Sequence, residues 1–285
     1  MNPITRTTSI ACVLGSLVML AGSPYVLADD SKDTNAEPLA ASVIIFELTD
    51  NDIELQLFAD ADDWTRMQIS DPNGRMVFDT KARGRLRRQG GLSEMAWASE
   101  PSHYLEDEPE FDESVADFLQ RWPAGNYRFE GQRVSGLGPL ESEGTLSHVL
   151  AALPEVELPD ATVFIEDEDG DEIPLVPFDQ SLLIAWGPVT EQFKGEDGTL
   201  EPVGDGTVTI KEYQVIVSQE DPLRAQPWID GDSRRALINL PPDVNEIAVP
   251  PELMEPDATY EIEILAIEEG GNSSIGTLTF VTTSE

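Results

Sequence analysis

The sequence predicts an all-β protein of two tandem β-sandwich domains, the first carrying one helical insertion. Three observations carry that expectation. Apolar residues recur at every second position in short runs, the pattern of strands with one buried face. Pro, Gly, Asn and Asp separate those runs as turns do. One stretch late in the first half has helical spacing instead.

The opening segment reads as a targeting sequence over 1–28. Arg6 precedes an apolar run from Ile10 to Ala21, too short to cross a bilayer as a helix but suited to a signal peptide. Val26 and Ala28 give the small-residue cleavage pattern, so the chain is expected to be exported, to the periplasm or beyond. The lone Cys12 lies near the start of the run, where lipidation is not expected, and cleavage would leave no thiol at all. No second membrane-length apolar stretch follows, so membrane insertion is not expected. Residues 29–40 are polar and read as a disordered leader.

The first domain is expected over 41–150. Val43 to Phe46 opens it, and Ile53, Leu55 and Leu57 alternate with polar neighbours. Asp71-Pro72-Asn73-Gly74 is a hairpin turn signal, and Ala96-Trp97 sits in a further strand. Val115, Phe118, Leu119 and Trp122 share one helical face, with Asp112 as the expected N-cap and Pro123 and Gly125 as the stop. Asn126 to Glu130 alternates again, and Thr145 to Leu150 closes the domain, which looks immunoglobulin-like. Residues 151–159 hold two prolines and read as an exposed linker.

The second domain, 160–285, is expected to hold strands at Thr162 to Ile165, Ser181 to Trp186, Tyr213 to Val217, Glu246 to Val249, Tyr260 to Ile267 and Thr277 to Thr282. Three of its segments carry a resemblance. Ser181 to Pro188 holds a Trp followed by Pro, Tyr213 to Val217 forms the next strand, and Met254-Glu255-Pro256-Asp257-Ala258-Thr259-Tyr260 has the spacing of a tyrosine corner. In that order they resemble a fibronectin type III domain. The resemblance implies that Trp186 fills the space between two sheets and that the Tyr260 hydroxyl bonds back to the corner backbone. The segment from Thr190 to Thr207 departs from the family by its length. It reads either as a binding loop or as a tolerated surface insertion.

Charge narrows the function classes. The chain has 55 acidic and 17 basic residues, formally −38, and removal of Arg6 would make it −39. Residues 41–150 hold 21 acidic and 10 basic side chains, whereas 155–285 hold 30 and 5. Such a surface repels nucleic acid and anionic headgroups, and a saline habitat would screen its self-repulsion.

No catalytic constellation stands out. There is no Gly-x-Ser-x-Gly elbow, no His-Glu-x-x-His, and only two His, His103 and His148, so the expectation is a non-enzyme. Ca²⁺ is the one candidate cofactor, at Asp167, Asp169 and Asp171, whose alternate oxygens resemble part of a calcium loop. Glu172 and Phe178 stand where an EF-hand needs Gly and Glu. Asp60, Asp62 and Asp63 form a similarly incomplete cluster. Trp64, Trp97 and Trp228 could line a carbohydrate platform, although core packing is the simpler reading.

The most unusual segment is Lys81-Ala82-Arg83-Gly84-Arg85-Leu86-Arg87-Arg88. If extended, it would place Lys81, Arg83, Arg85 and Arg87 on one face, with Arg88 beside them. The stripe reads as a contact for acidic groups, of this chain or of a partner, or as a guarded sheet edge. The function expected is non-catalytic binding or spacing, with a protein or a surface polysaccharide as partner. The alternatives are a calcium-stabilised carbohydrate-binding accessory module and a secreted hydrolase.

Overall fold

A computed structural model describes residues 36–105, 111–134, 137–166, 170, 172–195, 198, 200–220 and 233–283. The expected signal peptide, most of the leader, Asp167, Asp169, Asp171 and Trp228 lie outside the described residues.

The first half contains β1 (Ala41–Leu48), β2 (Asp52–Ser70), β3 (Met76–Lys81), α1 (Gly84–Gln89), β4 (Leu92–Ala98), β5 (Ser102–His103), α2 (Val115–Arg121), β6 (Gly125–Arg133) and β7 (Leu140–Leu146). Alternation builds the start of β2 as expected, whereas β1 is buried continuously from Ile44 to Leu48. Ile53, Leu55 and Leu57 turn inward, while Glu54 and Gln56 occupy the opposite face. Among the described residues, β2 pairs five other strands. Its first part pairs β1 and β4, and its second part pairs β3 and β6. The register shifts between Asp60 and Trp64, where Asp63 takes a φ of 60°. This is a bulge that re-aims a strand at a sandwich corner. The Asp cluster is therefore a bend, and Trp64 next to it is buried in the core rather than part of a platform. Gly91 is required at the same corner, because a Cβ there would lie 2.5 Å from the Trp64 carbonyl.

The Asp71 turn forms as predicted. Its carboxylate accepts the N–H groups of Asn73 (2.9 Å) and Arg75 (2.8 Å). The helix also forms, one turn narrower. Ser114, not Asp112, is its N-cap, accepting from the Asp117 N–H at 3.2 Å. Asp112 accepts from the His103 N–H instead. Val115, Phe118 and Leu119 are buried against the first core, and Trp122 packs beside them.

The second half contains β8 (Val156–Glu157), β9 (Phe164–Glu166), β10 (Glu172–Val176), β11 (Leu182–Trp186), β12 (Ile210–Gln219), β13 (Ser233–Leu240), β14 (Glu246–Val249), β15 (Thr259–Glu268) and β16 (Ser273–Thr282). One sheet is ordered β14-β11-β8, and the facing sheet runs β13-β12-β15-β16. Between them lies a separate core. Trp186 meets Tyr213 edge-on at 5.4 Å, and Tyr260 stacks on Phe280 at 5.2 Å. The Tyr260 hydroxyl accepts the Glu255 N–H at 2.6 Å, which closes the corner that the sequence pattern implied.

The two sandwiches are joined by more than covalent chain. β1 pairs in parallel with β16, Glu47 opposite Ser273 and Leu48 opposite Ser274. Hydrogen bonding thus runs without a break from β13 to β7. Residues 151–159 are not an exposed tether: Ala151, Pro154 and Leu158 are buried, and β8 pairs with β11. Apolar side chains in that segment decided the outcome, since Leu158 and Val156 complete the second core.

Candidate functional site

The basic segment is not an extended stripe. β3 ends at Lys81, Arg83 is the extended N-cap of α1, and Arg85, Arg87 and Arg88 lie on that single short helix. Arg, Leu and Gln are good helix formers, and Gly90 with φ 129° and Gly91 with φ 101° release the chain into β4. At about 100° per residue, alternate positions diverge, so Arg85 and Arg87 point apart rather than along one face. Only Ala82 is anchored. Its side chain is buried, and its N–H donates to the Thr65 carbonyl.

What results is a protruding tip. No residue of α1 is buried, and Leu86 is 50% exposed at its centre. Several other cations of the fold are matched to carboxylates. Arg66 holds Asp79 through two bonds of 2.7–2.8 Å, Arg121 holds Glu113, Arg128 holds Glu141, and Arg133 holds Glu37. Among the described residues, Arg83, Arg85, Arg87 and Arg88 form no such pair. Four guanidinium groups on a chain of formal charge −38 are therefore turned to solvent. Guanidinium forks can bind carboxylates bidentately.

The segment 190–207 behaves in the opposite way. Gln192 is buried and acts as a hub: its amide donates to the carbonyls of Val203 (2.8 Å) and Thr207 (2.9 Å) and accepts from the Val203 N–H. Phe193 meets Tyr104 of the first unit at 5.8 Å, and both Phe193 and Leu200 pack against the first core. Gln192, Phe193 and Leu200 thus tie the insertion down, while Glu201 to Asp205 remain exposed.

Asn272, in the turn between β15 and β16, fastens the same seam. Its carbonyl accepts the Phe46 N–H at 2.8 Å, and its amide donates to Ser147 and to the Val149 carbonyl. Glu268 holds that turn by accepting from Gly270 and Asn272. Glu47 is buried beside it. Burial, reinforced by the neighbouring Glu54 and Glu263 carboxylates, pushes its pKa well up, partly opposed by the Ser273 hydroxyl. The contacts of Asn272 and Glu47 were not legible in the sequence, because each reaches a residue more than 100 positions away.

The remaining candidates take structural places. The Ser102 hydroxyl donates to Glu113 at 3.0 Å and so does not serve His103. His148 contacts the Trp122 carbonyl at 2.8 Å. Trp97 packs on Phe78. Among the described residues, no group of three His, Cys, Asp or Glu could hold a metal ion. No helix among them is long and apolar enough to cross a membrane. One surface was not anticipated. Val163, Phe164 and Ile165 at the β9 edge are exposed in succession, although the strand itself was expected.

No family model matches the chain, and no curated protein does. Solved structures with similar arrangements include the FN1-FN3 domains of chicken CNTN1, at 9% identity and TM-score 0.34, covering 87% of this chain and 65% of that one. A two-domain fibronectin type III segment of chicken tenascin matches at 10% identity and TM-score 0.26, covering 85% and 98%. The human OSCAR ligand-binding domain matches at 9% identity and TM-score 0.24, covering 87% and 100%. This chain spans just under two thirds of the CNTN1 fragment. The hydrogen bonding and packing given above define the fold: an immunoglobulin-like β-sandwich followed by one of fibronectin type III kind.

Proposed function

We propose that this is an exported, non-catalytic spacer and binding protein that holds the α1 tip out to an acidic partner. The observation that carries the reading is the tip itself, with Arg83, Arg85, Arg87 and Arg88 exposed and unpaired on an otherwise strongly acidic chain. The seam supports the spacer part. Asn272, Phe193 and the β1–β16 pair resist independent motion of the units, so the tip has a fixed position relative to the second sandwich. Export rests on the Arg6 and Ile10 to Ala21 pattern.

Binding to immobilised poly-glutamate and to a carboxylated polysaccharide at low salt tests the tip. Replacing Arg85, Arg87 and Arg88 by Ser should weaken retention about tenfold or more, and added salt should weaken that of the wild type. Equal retention of the variant and the wild type would overturn the reading.

A further inference from the structure

The tip has a matching surface at the far end of the same molecule. β1 and β16 run in one direction, meeting at Glu47–Ser273 and Leu48–Ser274. The start of β1 marks the end that carries α1. Ala41 pairs with Asp60 at the bend of β2, and the segment beside α1 bonds to Thr65 just past that bend. The finish of β16 marks the other end, where Val281 and Thr282 pair with β10, which in turn carries β9. The two surfaces are therefore separated by about 45 Å of strand, at ~3.3 Å per residue.

The β9 surface has the features that the tip lacks. Val163 is 52% and Phe164 51% exposed, and Ile165 follows them. Among the described residues β9 pairs only with β10, so one edge is open. Across that hairpin Glu166 lies directly opposite Glu172, both exposed and neither in an ion pair. Like charges facing each other on a ladder are unfavourable, and a guanidinium placed between them relieves the repulsion. Leu86, flanked about 100° to either side by Arg85 and Arg87, offers apolar area for Phe164 and cations for Glu166 and Glu172, which share one face of the hairpin. Arg over the Phe164 ring adds a cation–π contact.

We infer that copies of this chain associate head to tail, the α1 tip of one seated on the β9–β10 hairpin of the next. A molecule cannot bring its own tip to its own hairpin across the seam. The contact joins two different surfaces at opposite ends, so it is heterologous and propagates as an open array unless its rotation closes it into a ring. The array requires salt near physiological strength. There, screening over ~8 Å suppresses repulsion between whole acidic bodies while leaving pairs in contact attractive. The inference rests on the tip reading above but names its partner as a second copy.

Sedimentation velocity on the mature chain across a concentration series tests it. The wild type should form concentration-dependent linear species. A tip variant (Arg85→Ser, Arg87→Ser, Arg88→Ser) and an edge variant (Phe164→Ser, Ile165→Thr) should each associate about tenfold or more weakly. An equimolar mixture of the two should give a heterodimer and nothing longer, since each variant supplies the surface the other has lost. All substitutions are at exposed side chains, so both variants should keep the wild-type circular dichroism. A wild type that stays monomeric overturns the inference, and so does a tip variant that still associates, as a β9–β9 pair would. Poly-glutamate binding separates the readings. An edge variant that keeps it leaves the tip function intact even if association fails.

Discussion

Two charged insertions of similar appearance met opposite ends. Residues 81–88 and 190–207 both interrupt β patterning with charge and glycine, and either could have been a contact surface. The second was drawn into the seam because it carries Phe193 and Leu200 as apolar anchors and a Gln whose amide satisfies the turn's backbone. The first has Ala82 as its one buried side chain, and its larger apolar residue, Leu86, faces water. Apolar anchorage, rather than charge or length, decides whether an insertion becomes interior. Burying a charge is costly, whereas burying a ring is favourable.

The seam side of that contrast is the easier to break. Asn272→Ala should lower the unfolding free energy by about 3 kcal/mol, because the Phe46 N–H and the Val149 carbonyl lose a buried partner. Urea unfolding measures the loss, and small-angle scattering should show a broader distribution of shapes. A change below ~1 kcal/mol would place the strength of the seam elsewhere. Phe193→Ala should follow at about 2 kcal/mol, less than for a fully buried ring because Phe193 is only partly covered. A cost near zero would return 190–207 to the class of tolerated insertions.

Glu47 sharpens the comparison through pH. Burial and the Glu54, Glu263 and Asp52 carboxylates raise its folded-state pKa above the ordinary value, and Ser273 opposes them. The folded state then holds its proton to higher pH than the unfolded state does. The stability this gives is fully present below the unfolded pKa and is lost as pH rises through the folded pKa. Melting temperature should therefore fall as pH rises from the acid range toward neutral, after allowance for the general charge repulsion. Glu47→Gln should flatten that slope and raise the melting temperature at neutral pH. An unchanged slope would show that the carboxyl is solvated.

The tip should respond least in stability. Changing Arg83, Arg85, Arg87 and Arg88 to Ser together should shift the unfolding free energy by less than ~0.5 kcal/mol, because none is buried or paired. A larger loss would mean that these side chains hold the fold and are not free for a partner.

The sequence by itself determined the elements that depend on near neighbours. Period-two alternation gave the start of β2 and β6. The Asp71 turn, the apolar face of α2 and the tyrosine corner at Met254 to Tyr260 follow from spacings of a few residues, and all formed. Where the sequence reading failed, local pattern competed with another local preference. Arg-Gly-Arg-Leu-Arg-Arg satisfies a two-residue period and a short helix alike, and the glycines at both ends settled for the helix. Only the tertiary structure decided which surfaces meet. Asn272 finds Phe46 across 226 positions, Leu158 completes a core, and Phe193 crosses to Tyr104. A side chain's sequence states what it can bury or bond, but the partner that satisfies it is set by where the whole chain brings its backbone.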